Sequence, residues 1–124
     1  MGNNLSKLAK KIIRLVILVN HMKAFIDLDP KRAMLLLDKD GAVAIDVRTT
    51  TEFSEDHING AINISIHECD FTDRLKKLPK ENKYLVYCRS GRRSARAMAL
   101  MRRLGFSSVF NLAGGMIAWH DVGL

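Results

Sequence analysis

Short apolar runs alternate along the chain with longer segments in which apolar residues recur at helical spacing. A short apolar run that ends in charge or in turn residues is typical of a buried strand. Such runs predict strands at residues 23–26, 42–47, 61–64, 84–87 and 108–112. The segments between them predict helices at residues 30–38, 50–55, 71–78, 94–104 and 116–120.

The helix predicted at residues 94–104 has the clearest pattern. Ala97, Met101 and Leu104 fall on one stripe, and Gly105 stands where a helix commonly ends. Strands that alternate with helices, and that are apolar along most of their length, indicate an α/β fold. We expect a central parallel sheet of four to five strands with helices on both faces. In such a sheet the functional site lies beyond the carboxyl ends of the strands.

Residues 1–22 predict a basic amphipathic leader ahead of a domain at residues 23–124. Leu8, Ile12 and Val19 recur on one side of a helix, and Lys10 and Arg14 fall on the other. Such a helix can lie on an anionic membrane surface, although its apolar stretch is too short to cross one. We rank three hypotheses ahead of this membrane contact: a helix packed on the domain, a disordered leader, and a leader that is not native.

Composition and charge narrow the class of protein. The chain has 124 residues, nearly half of them apolar, which suits one globular domain. Residues 1–22 and 88–103 hold ten of the 20 basic residues and no acidic residue, and they account for the net charge of +7. The second cluster surrounds a thiol and contains no aromatic residue, which favours a small anion over nucleic acid as the partner.

The chain has two cysteines, Cys69 and Cys88, which imply no disulfide framework. Since no clear export signal is present, we expect a reducing, cytoplasmic location. Cys69 stands in an ordinary stretch and is predicted to be structural.

Cys88 directly follows a predicted strand, and six residues, from Cys88 to Arg93, separate that strand from the next predicted helix. The backbone amides of this loop can converge on one point, with Gly91 allowing the chain to curl. The helix dipole and the loop arginines add positive potential. The loop amides, the helix dipole and the arginines all favour a thiolate over a thiol. We therefore predict a lowered pKa for Cys88 and a cradle for an anion. A merely structural cysteine would leave the glycine and the arginines unexplained.

Over most of residues 25–124 the sequence resembles the rhodanese family of sulfurtransferases. The resemblance rests on several short motifs in a specific order, together with the cysteine loop. These are residues 45–48, Glu52-Phe53, His57-Ile58, Gly60-Ala61, Asn63-Ile64, residues 112–115 and Trp119. The resemblance implies a rhodanese-like fold and a small, single-domain thiosulfate sulfurtransferase.

The resemblance also implies a mechanism. Cys88 attacks the outer sulfur of thiosulfate, releases sulfite and holds a persulfide, from which cyanide or a thiol or protein acceptor takes the sulfur. Arg89 and Arg93 would bind the dianion, and no metal or organic cofactor is implied. The predicted substrate-binding residues are Arg89, Ser90, Gly91, Arg92, Arg93 and Ser94.

Several residues outside the loop have supporting roles in this interpretation. Asp46 and Arg48 match a strand-end pair of the family and are predicted to form a structural charge network beside the loop. His57 is interpreted as stabilising the fold rather than as a general base. Where the family often has Gly and Pro, this chain has Asp56 and Asn59, both of which suit turns.

Other functions stay open at this point. A sulfur carrier or binding module would use the same persulfide with little turnover of thiosulfate. A cysteine phosphatase of the dual-specificity type would need an arginine after five intervening residues, where this chain has Ser94. Arsenate reductases of the phosphatase-like group meet the same difficulty, so we expect the loop to suit a sulfur adduct rather than phosphate.

Overall fold

A computed structural model describes residues 6–20 and 22–124. Residues 1–5 and 21, which belong to the predicted leader, lie outside the described part of the chain. The strands are β1 (Ala24–Leu28), β2 (Val43–Asp46), β3 (Ile62–Asn63), β4 (Lys83–Tyr87) and β5 (Ser108–Leu112). The helices are α1 (Lys7–Asn20), α2 (Pro30–Lys39), α3 (Thr50–Glu55), α4 (Phe71–Lys76), α5 (Arg92–Arg103) and α6 (Gly115–Asp121).

The five strands form one parallel sheet in the order β1-β5-β4-β2-β3. Strand β4 lies at its centre between β2 and β5. The register pairs Asp46 at the end of β2 with Tyr87 at the end of β4. The residues that follow these two strands therefore emerge side by side at the carboxyl edge of the sheet.

Both faces of the sheet are covered by helices. Along β4 the side chains of Tyr84 and Val86 enter one hydrophobic core, and those of Leu85 and Tyr87 enter another. Helices α4 and α5 complete the first core, and α2 and α6 complete the second. This arrangement confirms the predicted α/β fold with a parallel sheet covered on both sides.

Helix α5 begins at Arg92, two residues earlier than predicted. Gly91 precedes it with a φ of 97°, a left-handed conformation that turns the chain directly from the loop into the helix. The expected six-residue separation was therefore wrong, because only residues 88–91 lie between β4 and α5. Arg92 and Arg93 consequently belong to the first helical turn.

Helix α1 is formed, and its described residues lie outside both hydrophobic cores. Ser6 caps the start of the helix, because its hydroxyl accepts a hydrogen bond from the Ala9 amide at 3.1 Å. Its large apolar residues between Leu8 and Leu18 are at least half exposed, and within residues 6–20 and 22–124 neither hydrophobic core includes a residue of α1. No described helix is long and apolar enough to cross a membrane.

Candidate active site

Cys88 lies at the carboxyl end of the central strand, immediately after Tyr87. Its residue surface is 1% exposed, and Ala97 of α5 belongs to the same buried cluster. The thiol thus lies at the edge of the core, almost completely buried.

A backbone amide and a hydroxyl lie within hydrogen-bond distance of the Cys88 sulfur. The Gly91 amide donates to Sγ at 3.1 Å, and the Ser94 hydroxyl donates at 3.3 Å. Ser94 is fully buried in the first turn of α5, so its hydroxyl is held in place by the helix. The sulfur therefore sits in a small cradle of donors, which suits an anion.

The surroundings of Cys88 act in opposite directions on its pKa. Burial has the largest single effect and by itself raises the pKa of the thiol. Hydrogen bonds from the Ser94 hydroxyl and from the amides of Ser94, Gly91 and Ser90 oppose burial, and together they lower the pKa below its ordinary value. The leading stabilisers of the thiolate are thus fixed dipoles, rather than the arginine charges that the sequence suggested first.

Three carbonyls of the cysteine loop are held by hydrogen bonds from β5 and α6. The amides of Met116 and Ile117 donate to the carbonyls of Cys88 and Arg89, at 2.9 and 3.1 Å. The Asn111 side chain donates to the Gly91 carbonyl at 3.2 Å. Because each peptide group is planar, a carbonyl that points toward β5 or α6 makes the N–H group of the next residue point away from them. The amide of Ser90, which follows the anchored carbonyl of Arg89, is oriented in this way and contributes to lowering the pKa of Cys88.

Close packing at Gly115 makes this anchoring possible. A side chain at this position would place its Cβ only 2.4 Å from the carbonyl oxygens of Cys88 and Arg89. Gly115 also has a φ of 58°, which disfavours other residues. The glycine pair in residues 112–115, noted only as part of the family resemblance, therefore lets α6 approach the cysteine loop.

Arg93 is held by an acidic residue that the sequence analysis did not assign to the site. Its guanidinium forms a bidentate ion pair with Glu52, at 2.8 and 3.0 Å. Arg93 holds the pKa of Glu52 down at about 2, and Thr49 contributes through the capping box of α3. Arg93 is therefore oriented by α3, and Glu52 offsets part of its charge. The Glu52-Phe53 motif was the available signal, but it does not reveal the partner.

Asp46 and Arg48 form a buried pair beside the loop. Arg48 donates to both Asp46 oxygens, with Nη2 to Oδ2 at 2.7 Å, and to the Asp56 carbonyl. Asn63 donates to the carbonyls of Asp46 and Arg48 at 2.9 and 3.0 Å. These bonds fix the chain that leaves β2, next to the strand that carries Cys88.

Three arginines near the loop have free charge. Arg89, Arg92 and Arg96 are exposed, and none of them forms an ion pair with an acidic residue in the part of the chain that the structure describes. Arg92, Arg93 and Arg96 line an open pocket of about 550 Å³. The surroundings of the cysteine loop therefore attract anions.

The remaining candidate side chains do not converge on Cys88. His57 stacks on Phe53 and bonds to its carbonyl at 2.7 Å, and Trp119 is buried in the second core. Cys69 is exposed just ahead of α4. Among the described residues, no group of three or more His, Cys, Asp or Glu side chains could hold a metal ion.

Residues 29–122 match the family model of the rhodanese-like domain. The chain therefore belongs to this family, and the relatives that it matches include sulfurtransferases. It is 36% identical to a sulfurtransferase of Allochromatium vinosum over 89 residues, covering 72% of this chain and 81% of the relative. It is 33% identical to the thiosulfate sulfurtransferase GlpE of Pseudomonas putida, covering 80% and 88%.

A solved structure supports the same assignment. The rhodanese-like domain protein of Staphylococcus aureus matches with a TM-score of 0.67 and 31% identity. The match covers 83% of this chain and 96% of that protein.

Proposed function

We propose that the protein transfers sulfane sulfur through a persulfide on Cys88, with thiosulfate or a similar small anion as the donor. Cyanide or a thiol, free or on a protein, is the acceptor. The observation that carries the proposal is the pair of donors on Cys88 Sγ, the Gly91 amide at 3.1 Å and the Ser94 hydroxyl at 3.3 Å. Such donors stabilise a thiolate and can equally stabilise the terminal sulfur of a persulfide.

The reaction has two displacement steps. In the first, the Cys88 thiolate attacks the outer sulfur of thiosulfate, the sulfur–sulfur bond of the donor breaks, and sulfite leaves with the electron pair. In the second, the acceptor attacks the outer sulfur of the persulfide, and Cys88 leaves as a thiolate stabilised by the same donors. No net oxidant is required.

The basic residues attract and orient the anionic sulfur donor. Arg89, Arg92 and Arg96 are exposed and free of acidic partners within the described ranges, so they attract the dianion to the loop. Arg93 orients the donor from the first turn of α5 while Glu52 holds its guanidinium. Asp46 and Arg48 support the loop without contacting the reacting sulfur.

Mass measurement of the purified protein after treatment with thiosulfate tests the proposal. We expect the wild type to gain one sulfur atom and to lose it again on addition of cyanide. Cys88→Ser should gain none and should form no thiocyanate. Cys69→Ser is the matched control and should behave as the wild type. Equal thiocyanate formation by Cys88→Ser and the wild type would overturn the mechanism.

A sulfur carrier is the second candidate, and the Glu52–Arg93 pair favours it. Because this ion pair offsets the charge of Arg93, less positive charge is available for a dianion than the sequence suggests. A wild type that gains sulfur from a persulfide donor but not from thiosulfate would identify the carrier. The cysteine would be the same, and only the donor class would differ.

A further inference from the structure

We propose that α1 binds the surface of an anionic membrane, lying along it with its apolar side chains inserted among the lipids. The helix is formed, yet within the described residues it belongs to neither core of the domain. The proposal is independent of the sulfur chemistry and concerns where that chemistry takes place.

The apolar side of α1 carries the first part of the argument. Ile12 and Leu15 lie four and seven residues after Leu8, on the same side of the helix, and Val16 lies beside them. Leu8, Ile12, Leu15 and Val16 are 65, 51, 55 and 53% exposed. A contiguous apolar surface of this kind is unfavourable in water and indicates a partner with an apolar interior.

The polar side of α1 carries the second part. Lys10, Lys11 and Arg14 lie three, four and seven residues after Lys7, so that the four cations share one side of the helix. The helix contains no acidic residue, and none of the four cations forms an ion pair within the described ranges. Basic residues that flank an apolar face are the pattern expected for an anionic lipid surface.

The same charges disfavour the main alternative, which is a second copy of this chain. Paired amphipathic helices are stabilised when acidic and basic residues face each other beside the apolar seam. Two copies of α1 would instead bring only cations together along their length. The helix has 14 residues, about 21 Å in length, so it can lie on a bilayer but cannot span one.

Co-sedimentation of the full chain with lipid vesicles tests this proposal. We expect binding to vesicles of phosphatidylcholine mixed with phosphatidylglycerol, little binding to phosphatidylcholine alone, and release of bound protein by high salt. The variant Ile12→Gln with Val16→Gln keeps good helix formers and removes apolar surface. It should partition at least about tenfold more weakly, which corresponds to about 1.4 kcal/mol.

Leu35→Gln with Val122→Gln is the matched control, because both side chains are exposed apolar residues of the domain. This control should bind as the wild type does. Lys10→Glu with Lys11→Glu should lose the preference for phosphatidylglycerol. The proposal is wrong if the wild type does not sediment with the anionic vesicles, or if the control pair loses binding equally. It is also wrong if the wild type is a dimer that Ile12→Gln with Val16→Gln dissociates, without any binding to vesicles.

Discussion

At the scale of single residues, the pKa of Cys88 depends on the hydrogen-bond donors around its sulfur. The thiol is buried, which favours the neutral form, and a hydroxyl and three amides reverse this preference. Ser94 is the only one of these donors that contributes through its side chain as well as its amide. Its hydroxyl can therefore be removed without breaking the backbone of the cradle.

We predict that Ser94→Ala raises the pKa of Cys88, because the hydroxyl stabilises only the thiolate. In a Cys69→Ser background, the rate of alkylation by iodoacetamide should fall roughly tenfold at neutral pH and approach the reference rate at high pH. The reason for this convergence is that the thiolate then forms in both proteins.

Ser90→Ala is the control for this measurement, since Ser90 contributes its amide and keeps it in the variant. Its pH profile should match the reference protein. A Ser94→Ala profile that falls by the same factor at every pH would indicate loss of access or structure instead of a changed pKa.

At the scale of elements, the site joins parts that are far apart in sequence. Helix α3 contacts α5 through the ion pair of Glu52 and Arg93. Strand β5 contacts the cysteine loop through Asn111, and α6 contacts the loop through the amides of Met116 and Ile117. Each of these contacts is made possible by the strand order, which places β4 between β2 and β5.

The Glu52–Arg93 pair gives a prediction on stability and pH. The pKa of Glu52 is lowered from 4.5 to about 2 in the folded protein. Glu52 therefore stabilises the fold above pH 4.5, and this contribution disappears as the pH falls through about 2. Because both side chains are partly exposed, we expect Glu52→Gln to lower the free energy of unfolding by about 1–2 kcal/mol at neutral pH.

Chemical denaturation at several pH values measures this effect. The difference between Glu52→Gln and the wild type should shrink steadily below pH 4.5. Glu55→Gln, an exposed position on the same helix without an ion pair in the described chain, should change the stability little at any pH. A Glu52→Gln deficit that stays constant down to pH 2 would assign the stabilisation to helix capping.

At the scale of the whole molecule, charge and topology together determine what reaches the cysteine. The exposed face of α5 carries Arg92, Arg96 and Arg103, beginning at the loop itself. Helix α2 covers the opposite face of the sheet and carries Lys31. A field that guides small anions to the site should therefore depend on α5 and not on α2.

We predict that Arg96→Glu lowers kcat/KM for thiosulfate about threefold to tenfold at low ionic strength, and less at high salt, where long-range attraction is screened. Lys31→Glu makes the same change in net charge on the other face and should have little effect. Initial rates of thiocyanate formation over a range of salt concentrations provide the comparison. Equal losses in the two variants would assign the effect to net charge alone.

Much of this architecture was predictable from local sequence. The apolar run at residues 108–112 and the helix at residues 50–55 have the bounds that were predicted, because burial and the Thr49 cap act locally. The resemblance to the rhodanese family is confirmed by the family model and the relatives. The start of α5 was misplaced by two residues because the apolar stripe does not mark where the first turn begins, and the chain enters the helix at Gly91, which has a left-handed conformation.

Contacts between distant segments could not be predicted in the same way. The pairing of Glu52 with Arg93 and the bond from Asn111 to the Gly91 carbonyl depend on which strands are neighbours. Residues 7–20 of the predicted leader form helix α1. Whether such a helix joins a hydrophobic core depends on the rest of the fold, which the pattern of α1 alone does not specify.

The anchoring of the loop by α6 has a consequence for synthesis of the protein. Cys88 is synthesised before Met116 and Ile117, whose amides hold the carbonyls of Cys88 and Arg89. A nascent chain that ends ahead of these residues has the cysteine without its completed cradle. We therefore expect a prematurely terminated fragment that lacks α6 to hold Cys88 as an ordinary thiol.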